Sequence, residues 1–181
     1  SIYTFTLYKY RMTKIDFKLN VFSLSERLYP MVARLLGDSN TEDAIQEIMI
    51  KLWQKRKKLE NHPNINGFVI LTARNYCIDL LRKKALVLED SSSELKVLKS
   101  TINAEDIEWK ELNNIIFKIL EQLPQQQKEV FLMRDVDGYE FTEIAAALSI
   151  KIEHVRVLLS RARKQIGVAL EKKYDYERGT Y

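Results

Sequence analysis

Residues 142–166 read TEIAAALSIKIEHVRVLLSRARKQI, and how this stretch folds decides how the rest of the chain is read. Ile144, Ala145 and Leu148 recur at helical spacing, as do Val155, Leu158, Leu159, Ala162 and Ile166. That periodicity predicts two helices, each with one buried stripe, joined by a tight corner. Glu153, His154, Arg156, Val157, Ser160 and Lys164 fall on the outside of the second helix. A helix-turn-helix offers its second helix to the DNA major groove with polar and basic side chains outward. A hairpin in any helical bundle shows the same periodicity, so the remaining sequence has to separate the two.

The chain has 181 residues, 46% of them hydrophobic, with five Gly and three Pro. This is enough apolar material for one domain or two small ones, and too little Gly and Pro for a loop-rich fold. Leu/Ile/Lys/Glu-rich segments of 3.6-residue period recur, so an all-α protein is expected. A net charge of +4 and a pI near 9.0 permit nucleic-acid binding without requiring it. The single cysteine, Cys77, sits in an apolar helical run, which excludes a disulfide framework and suits a reducing, cytoplasmic setting and a place in the core.

The first residues, SIYTFTLYKYR, are aromatic but broken by Lys9 and Arg11, and are not expected to act as a signal peptide. Residues 1–14 read as an extension, with Met12 as the expected natural start. Residues 15–84 read as one helical domain. Within it, Pro30 is expected to kink or break a helix, Gly37 to stop one, and Ser39 and Asn40 to cap the helix that follows. ENHPNIN (60–66) has turn chemistry, and GFVILTARNYCIDLLRKK (67–84) reads as a long helix. Residues 85–105 lose periodicity and carry a Ser run, the expected flexible linker. Residues 106–172 read as a second helical domain of four helices, the last two being the opening pair, with 173–181 a tail.

Catalytic and metal chemistry have little footing. His62 and His154 are too few and too separated for a ligand cluster, and no phosphate loop or nucleophile elbow is visible. A non-enzyme with no cofactor and no metal is expected. In the helix starting near Thr41, Asp43, Gln46, Glu47 and Ile50 share a side away from the apolar face. Ile50 among polar groups suits protein docking, although single exposed apolar residues are common. Arg74, Asn75, Asp79, Arg82 and Lys83, with His62, Asn64, Phe68 and Tyr76 nearby, suit single-stranded nucleic acid. An ordinary basic helix end explains the same residues.

EDAIQEIMIKLW, GFVILTARNYCIDLLRKK, LEQLPQQQKEVFLMRDVDGYEFTEIAAAL and HVRVLLSRARKQI, in this order, resemble the compact extracytoplasmic-function group of bacterial RNA polymerase sigma factors over roughly residues 22–170. The resemblance implies a region 2-like domain at 15–84 that docks on core polymerase and opens the minus-ten element. It implies a region 4-like domain at 106–172 that reads the minus-thirty-five element. It implies core RNA polymerase and promoter DNA as partners, allows for an anti-sigma factor, and gives no reason for membrane insertion. Asp43, Gln46, Glu47 and Ile50 match the docking helix. Asn64, Asn66, Arg74, Asn75, Asp79, Arg82 and Lys83 match the minus-ten surface. Lys151, Glu153, His154, Arg156, Ser160, Arg161 and Lys164 match the minus-thirty-five surface.

The chain departs from the family's usual pattern at Phe68 (Trp), Thr72 (apolar), Ser149 (Gly), Lys151 (a Ser or Thr cap) and His154 (Thr). Two other readings compete: a response-regulator-type helix-turn-helix protein, which would need a receiver domain of alternating strands and helices, and a helical adaptor, which leaves Arg156, Arg161, Arg163 and Lys164 on one short segment unexplained.

Overall fold

The computed structural model describes residues 11–89 and 107–178, with side chains over 11–87 and 114–175. The chain divides into two compact units, Ser1–Lys96 and Val97–Tyr181. Among the described residues all regular structure is helical, as the sequence periodicity predicts.

In the first unit α1 spans Lys14–Asn20, α2 Ser25–Leu36, α3 Thr41–Gln54, α4 Arg56–Leu59 and α5 Ile65–Glu89, with short 3-10 turns at Phe22–Leu24 and Asp38–Asn40. α2, α3 and α5 pack on one another. Leu28, Met31, Val32 and Leu36 of α2 meet a core that includes Ala44, Ile48, Met49 and Leu52 of α3 and Val69, Ile70, Ala73 and Cys77 of α5, all buried. Each large side chain withdrawn from water in this way contributes about 1.5–3 kcal/mol. α1 is held by a capping box in which the Thr13 hydroxyl accepts from the Asp16 N–H and the Asp16 carboxylate accepts from the Thr13 N–H. Met12, just before it, is buried, and its N–H donates to Glu60 Oε1 at 3.1 Å. Residues 1–10, read as part of an extension, lie outside the described residues.

One local expectation is narrowed and another revised. α2 runs unbroken through Pro30. Pro30 lies on the exposed side, where water can satisfy the Glu26 carbonyl that loses its i+4 donor, so the missing bond does not end the helix. Gly37 does stop it, with φ at +84°. Asn40 occupies the N-cap position of α3 but makes no side-chain cap there. Its Nδ2 donates back to the Leu36 carbonyl at 2.9 Å, while the Thr41 hydroxyl donates to the Gly37 carbonyl at 3.0 Å. Both side chains therefore close the end of α2, because the tight 3-10 turn brings its orphan carbonyls within their reach.

In the second unit α6 spans Ile107–Glu121, α7 Gln125–Phe131, α8 Phe141–Leu148 and α9 Ile152–Arg178, with α7 widening into a π turn over Leu132–Val136. Leu120, Leu123, Leu132, Ala162 and Ile166 form a buried cluster joined by Ile116, Phe117, Phe131 and Leu170. The corner between α8 and α9 turns on Ser149, which is left-handed at φ +55°, ψ +43°. The Ile150 N–H then reaches the Ala145 carbonyl at 3.0 Å, closing α8 in the manner of a Schellman motif. α5 continues to Glu89 and α9 to Arg178, farther than the helical ends read at 84 and 172. Residues 90–106, most of the expected linker, lie outside the described residues.

Candidate nucleic-acid interface

On α3, positions 43, 46, 47 and 50 recur every three or four residues, and Asp43, Gln46, Glu47 and Ile50 are all exposed, Ile50 by 49%. The opposite stripe, Ala44, Ile48 and Leu52, is buried, so core packing turns this polar face with its one apolar residue outward. Trp53 is half-buried, with Phe17 edge-on at 5.1 Å and the Arg56 guanidinium 4.4 Å from its ring. Beside the face, Tyr76 of α5 lies 5.7 Å from Lys51 Nζ, and its hydroxyl pKa is raised by burial and by the Glu47 carboxylate.

The loop before α5 is structured by its own side chains. Asn64 Oδ1 accepts from the Gly67 N–H at 2.8 Å, a side-chain cap on the first turn of α5. His62 Nδ1 accepts from the Asn64 N–H at 3.1 Å, and the His62 and Phe68 rings lie 5.2 Å apart. Along α5 the exposed Asn75, Asp79 and Arg82 follow Phe68 at helical spacing, with Lys83 also exposed and Arg74 half-buried at the flank. This stripe joins an aromatic ring, an amide, a carboxylate and a cation. Asn66 is exposed too, but nine residues at 100° each put it half a turn from Asn75 and about 13 Å along the axis. The helix does not bring those two amides together. Thr72, where the family has an apolar residue, is buried, and its hydroxyl donates to the Phe68 carbonyl at 2.8 Å, so it is satisfied within the helix.

In the second unit Lys151, Glu153, His154, Arg156, Ser160, Arg161 and Lys164 are all exposed, opposite the buried Val155, Leu158, Leu159 and Ala162. Val157, 43% exposed, stands among them, an apolar group of the kind that meets a thymine methyl. Farther along the same line, Glu171 and Asp175 are exposed. Arg163, exposed and seven residues after Arg156, flanks this face but is tied to a neighbour. It forms a two-pronged ion pair with Asp135, Nε to Oδ2 at 2.9 Å and Nη2 to Oδ1 at 2.6 Å, which raises its pKa further. Arg163, counted from sequence among four cations on one short segment, is thus engaged by a carboxylate of its own unit. One residue not singled out in sequence is Phe141 at the start of α8. Arg134 and Arg156 both lie over its ring, at 4.9 and 5.6 Å.

Among the described residues no group of three or more His, Cys, Asp or Glu could hold a metal ion, and no helix is long and apolar enough to cross a membrane. Cys77 is buried and its thiol is pushed up to about 12 by desolvation, as fits a core position.

Comparison with known proteins places both units in one family. Residues 23–87 match the Sigma-70 region 2 family and residues 113–166 match Sigma-70, region 4. The chain is 27% identical over 164 residues to the ECF RNA polymerase sigma-E factor of Escherichia coli K12, covering 83% of this chain and 84% of that one. It is 25% identical over 154 residues to the ECF RNA polymerase sigma factor SigE of Mycolicibacterium smegmatis, covering 82% of this chain and 59% of that one. Among solved structures, the fold matches the sigma factor RpoE in complex with the anti-sigma factor NepR from Bartonella quintana, with TM-score 0.60 and 21% identity, over 86% of this chain and 97% of that one. It also matches CnrH in complex with the cytosolic domain of CnrY, with TM-score 0.57 and 19% identity, over 88% and 90%. With both sigma regions present in order and covering most of the chain, this protein belongs to the extracytoplasmic-function group of RNA polymerase sigma factors.

Proposed function

We infer that this protein binds core RNA polymerase and directs promoter-specific initiation, acting by binding and not by catalysis, in the cytoplasm where polymerase and promoters meet. The observation that carries the reading is the presence of the two sigma regions, each on its own compact helical unit, each with a polar face turned out by core packing. In the first unit Asp43, Gln46, Glu47 and Ile50 dock on the polymerase. Phe68, Asn75, Asp79 and Arg82, flanked by Arg74 and Lys83, hold unpaired minus-ten bases and backbone. Asn64 serves this surface by capping α5, and Asn66 contacts the strand from the loop end. In the second unit α9 enters the major groove of the minus-thirty-five element through Lys151, Glu153, His154, Arg156, Ser160, Arg161 and Lys164. That a structural relative is held by an anti-sigma factor supports a protein regulator as a further partner.

Each DNA-facing surface carries few free cations, so the protein alone binds duplex weakly. Core polymerase holds both halves on one promoter and makes the second contact intramolecular. The test is run-off transcription with purified core polymerase on promoters of the source genome, with permanganate probing of unpaired thymines. Promoter-specific transcripts and reactive thymines near minus ten are expected only with both components. Absence of both on every promoter tried would sink the reading.

A further inference from the structure

We propose that Phe141 is a specificity-determining positioning residue: its ring holds the Arg156 guanidinium in the orientation from which it reads one minus-thirty-five base pair. The inference rests on the assignment of α9 as the groove-reading helix and adds to it a residue of α8 that no DNA contact requires.

The cations around the corner between α8 and α9 differ in how they are held. Arg163 is fixed by its two bonds to Asp135. Arg134 is fixed as well, because Nη1 donates to the Tyr139 carbonyl at 2.8 Å and pairs with Glu140 Oε2 at 3.2 Å. Arg156 is exposed and has no carboxylate partner among the described residues. What it has is the Phe141 ring, 5.6 Å from its guanidinium carbon, inside the range in which a ring face attracts a cation. The ring in turn is half-buried at the head of α8. Its backbone is set by the reciprocal capping of Glu140 and Glu143, in which the Glu140 N–H donates to Glu143 Oε2 at 2.8 Å. Arg134 lies over it at 4.9 Å. Phe141 is therefore the platform, with its backbone held by the capping box, and Arg156 is the exposed side chain that rests on it.

A bidentate arginine contact to a guanine edge needs a planar group presented at a defined angle. A free arginine loses much side-chain entropy in taking that angle, and a flat apolar surface beneath it removes part of the loss before DNA arrives. Arg161 and Lys164, exposed with no ring beneath them in the described contacts, lack this restraint and suit phosphate contacts, which tolerate a looser geometry.

The experiment uses the full-length protein with core polymerase and a promoter pool randomised over the minus-thirty-five element, read by sequencing transcripts. It compares wild type, Arg156→Ala, Phe141→Leu, Phe141→Tyr and the double variant Arg156→Ala/Phe141→Leu. Arg156→Ala is expected to flatten preference at one base pair. Phe141→Leu, apolar but without a ring, is expected to weaken preference at that same base pair by about two- to fivefold and leave other positions unchanged. Phe141→Tyr is expected to restore it, and the double variant to match Arg156→Ala. If Phe141→Leu lowers output equally on all sequences, or if Phe141→Tyr fails to restore preference while its melting temperature is that of wild type, the positioning role is overturned and the α9 assignment stands. If Arg156→Ala leaves every preference intact, the base-reading assignment of Arg156 falls and the proposal falls with it.

Discussion

The two long helices, α5 and α9, each bury one stripe and offer another, yet the chemistry they offer differs in kind. α5 presents a ring, an amide, a carboxylate and a cation in series, from Phe68 to Arg82. α9 presents Arg156, Arg161 and Lys164 around Val157, with Glu153 and His154 in its first turn, and Arg156 lies over the Phe141 ring of α8. Splayed single strands are held by stacking and edge hydrogen bonds, and a carboxylate is tolerable there because it can accept from exocyclic amines. A closed duplex shows phosphate on every approach, so its reader leads with positive charge. On the proposed function, the ring and amide of α5 suit an open strand and the larger share of cations on α9 suits a closed duplex.

That contrast can be broken most forcefully upstream of DNA. Replacing Gln46 and Ile50 together with Lys should weaken core polymerase binding by 2 kcal/mol or more, roughly thirtyfold, the scale of a central interface residue. Competition against a labelled wild-type protein measures it, and the melting curve should stay put because both side chains are exposed. Unchanged affinity would remove this face from the interface.

Next come the helices themselves. Asn75→Ala should cost about 1–3 kcal/mol of open-complex stability, seen as lost permanganate reactivity, with duplex binding and its salt dependence untouched. Arg161→Ala and Lys164→Ala should each do the reverse, weakening duplex binding on all sequences and lowering the salt slope by about one. If Asn75→Ala changes the salt slope, the contrast between the helices fails.

Smaller effects sharpen the picture of α9 as a scaffold. Asp135→Asn should lose about 0.5–1 kcal/mol, the upper range for a solvent-exposed pair, because the geometry is two-pronged. The loss should shrink at high salt in a denaturant titration. Ser149→Gly should gain about 0.5–1 kcal/mol, since glycine takes the left-handed corner without the Cβ clash. A destabilised Gly variant would mean that the serine side chain contributes more than the strain costs.

Much of this was legible in the sequence because it depends on local periodicity. The stripes on α3, α5 and α9 follow from residues three and four apart, and core burial then dictates what faces out. What escaped depends on which backbone group or partner lies nearby in space. Asn40 looks like a cap for α3 and caps the end of α2, because the choice is made by a 3-10 turn that no side-chain pattern announces. Asn64 looks like a base-contacting amide and spends its carbonyl oxygen on the Gly67 N–H. Arg163 looks free until Asp135, 28 residues away, is placed beside it. Phe141 drew no attention because its meaning lies in Arg134 and Arg156, both distant in sequence, whereas its own neighbours spell only an ordinary helix start.

Glu171 and Asp175 follow Lys164 on the outer line of α9 at seven and eleven residues, the line on which Glu153 stands at the opposite end, so the face proposed for DNA carries its cations near the start of the helix and carboxylates along its far half. From Arg156 to Asp175 the helix rises about 28 Å, close to a full turn of duplex at about 34 Å. Laid lengthwise in the groove, its far half would set carboxylates against phosphates. Entry by the tip keeps Glu171 and Asp175 clear and leaves Glu153 near the base edges, where a carboxylate can accept from a cytosine amine, so the far carboxylates act as a depth gauge, independent of any base sequence. Changing Glu171 and Asp175 to Gln and Asn should remove that gauge, lengthening the hydroxyl-radical footprint over the minus-thirty-five element while sequence preference stays the same; an unaltered footprint would show that shape alone sets the depth.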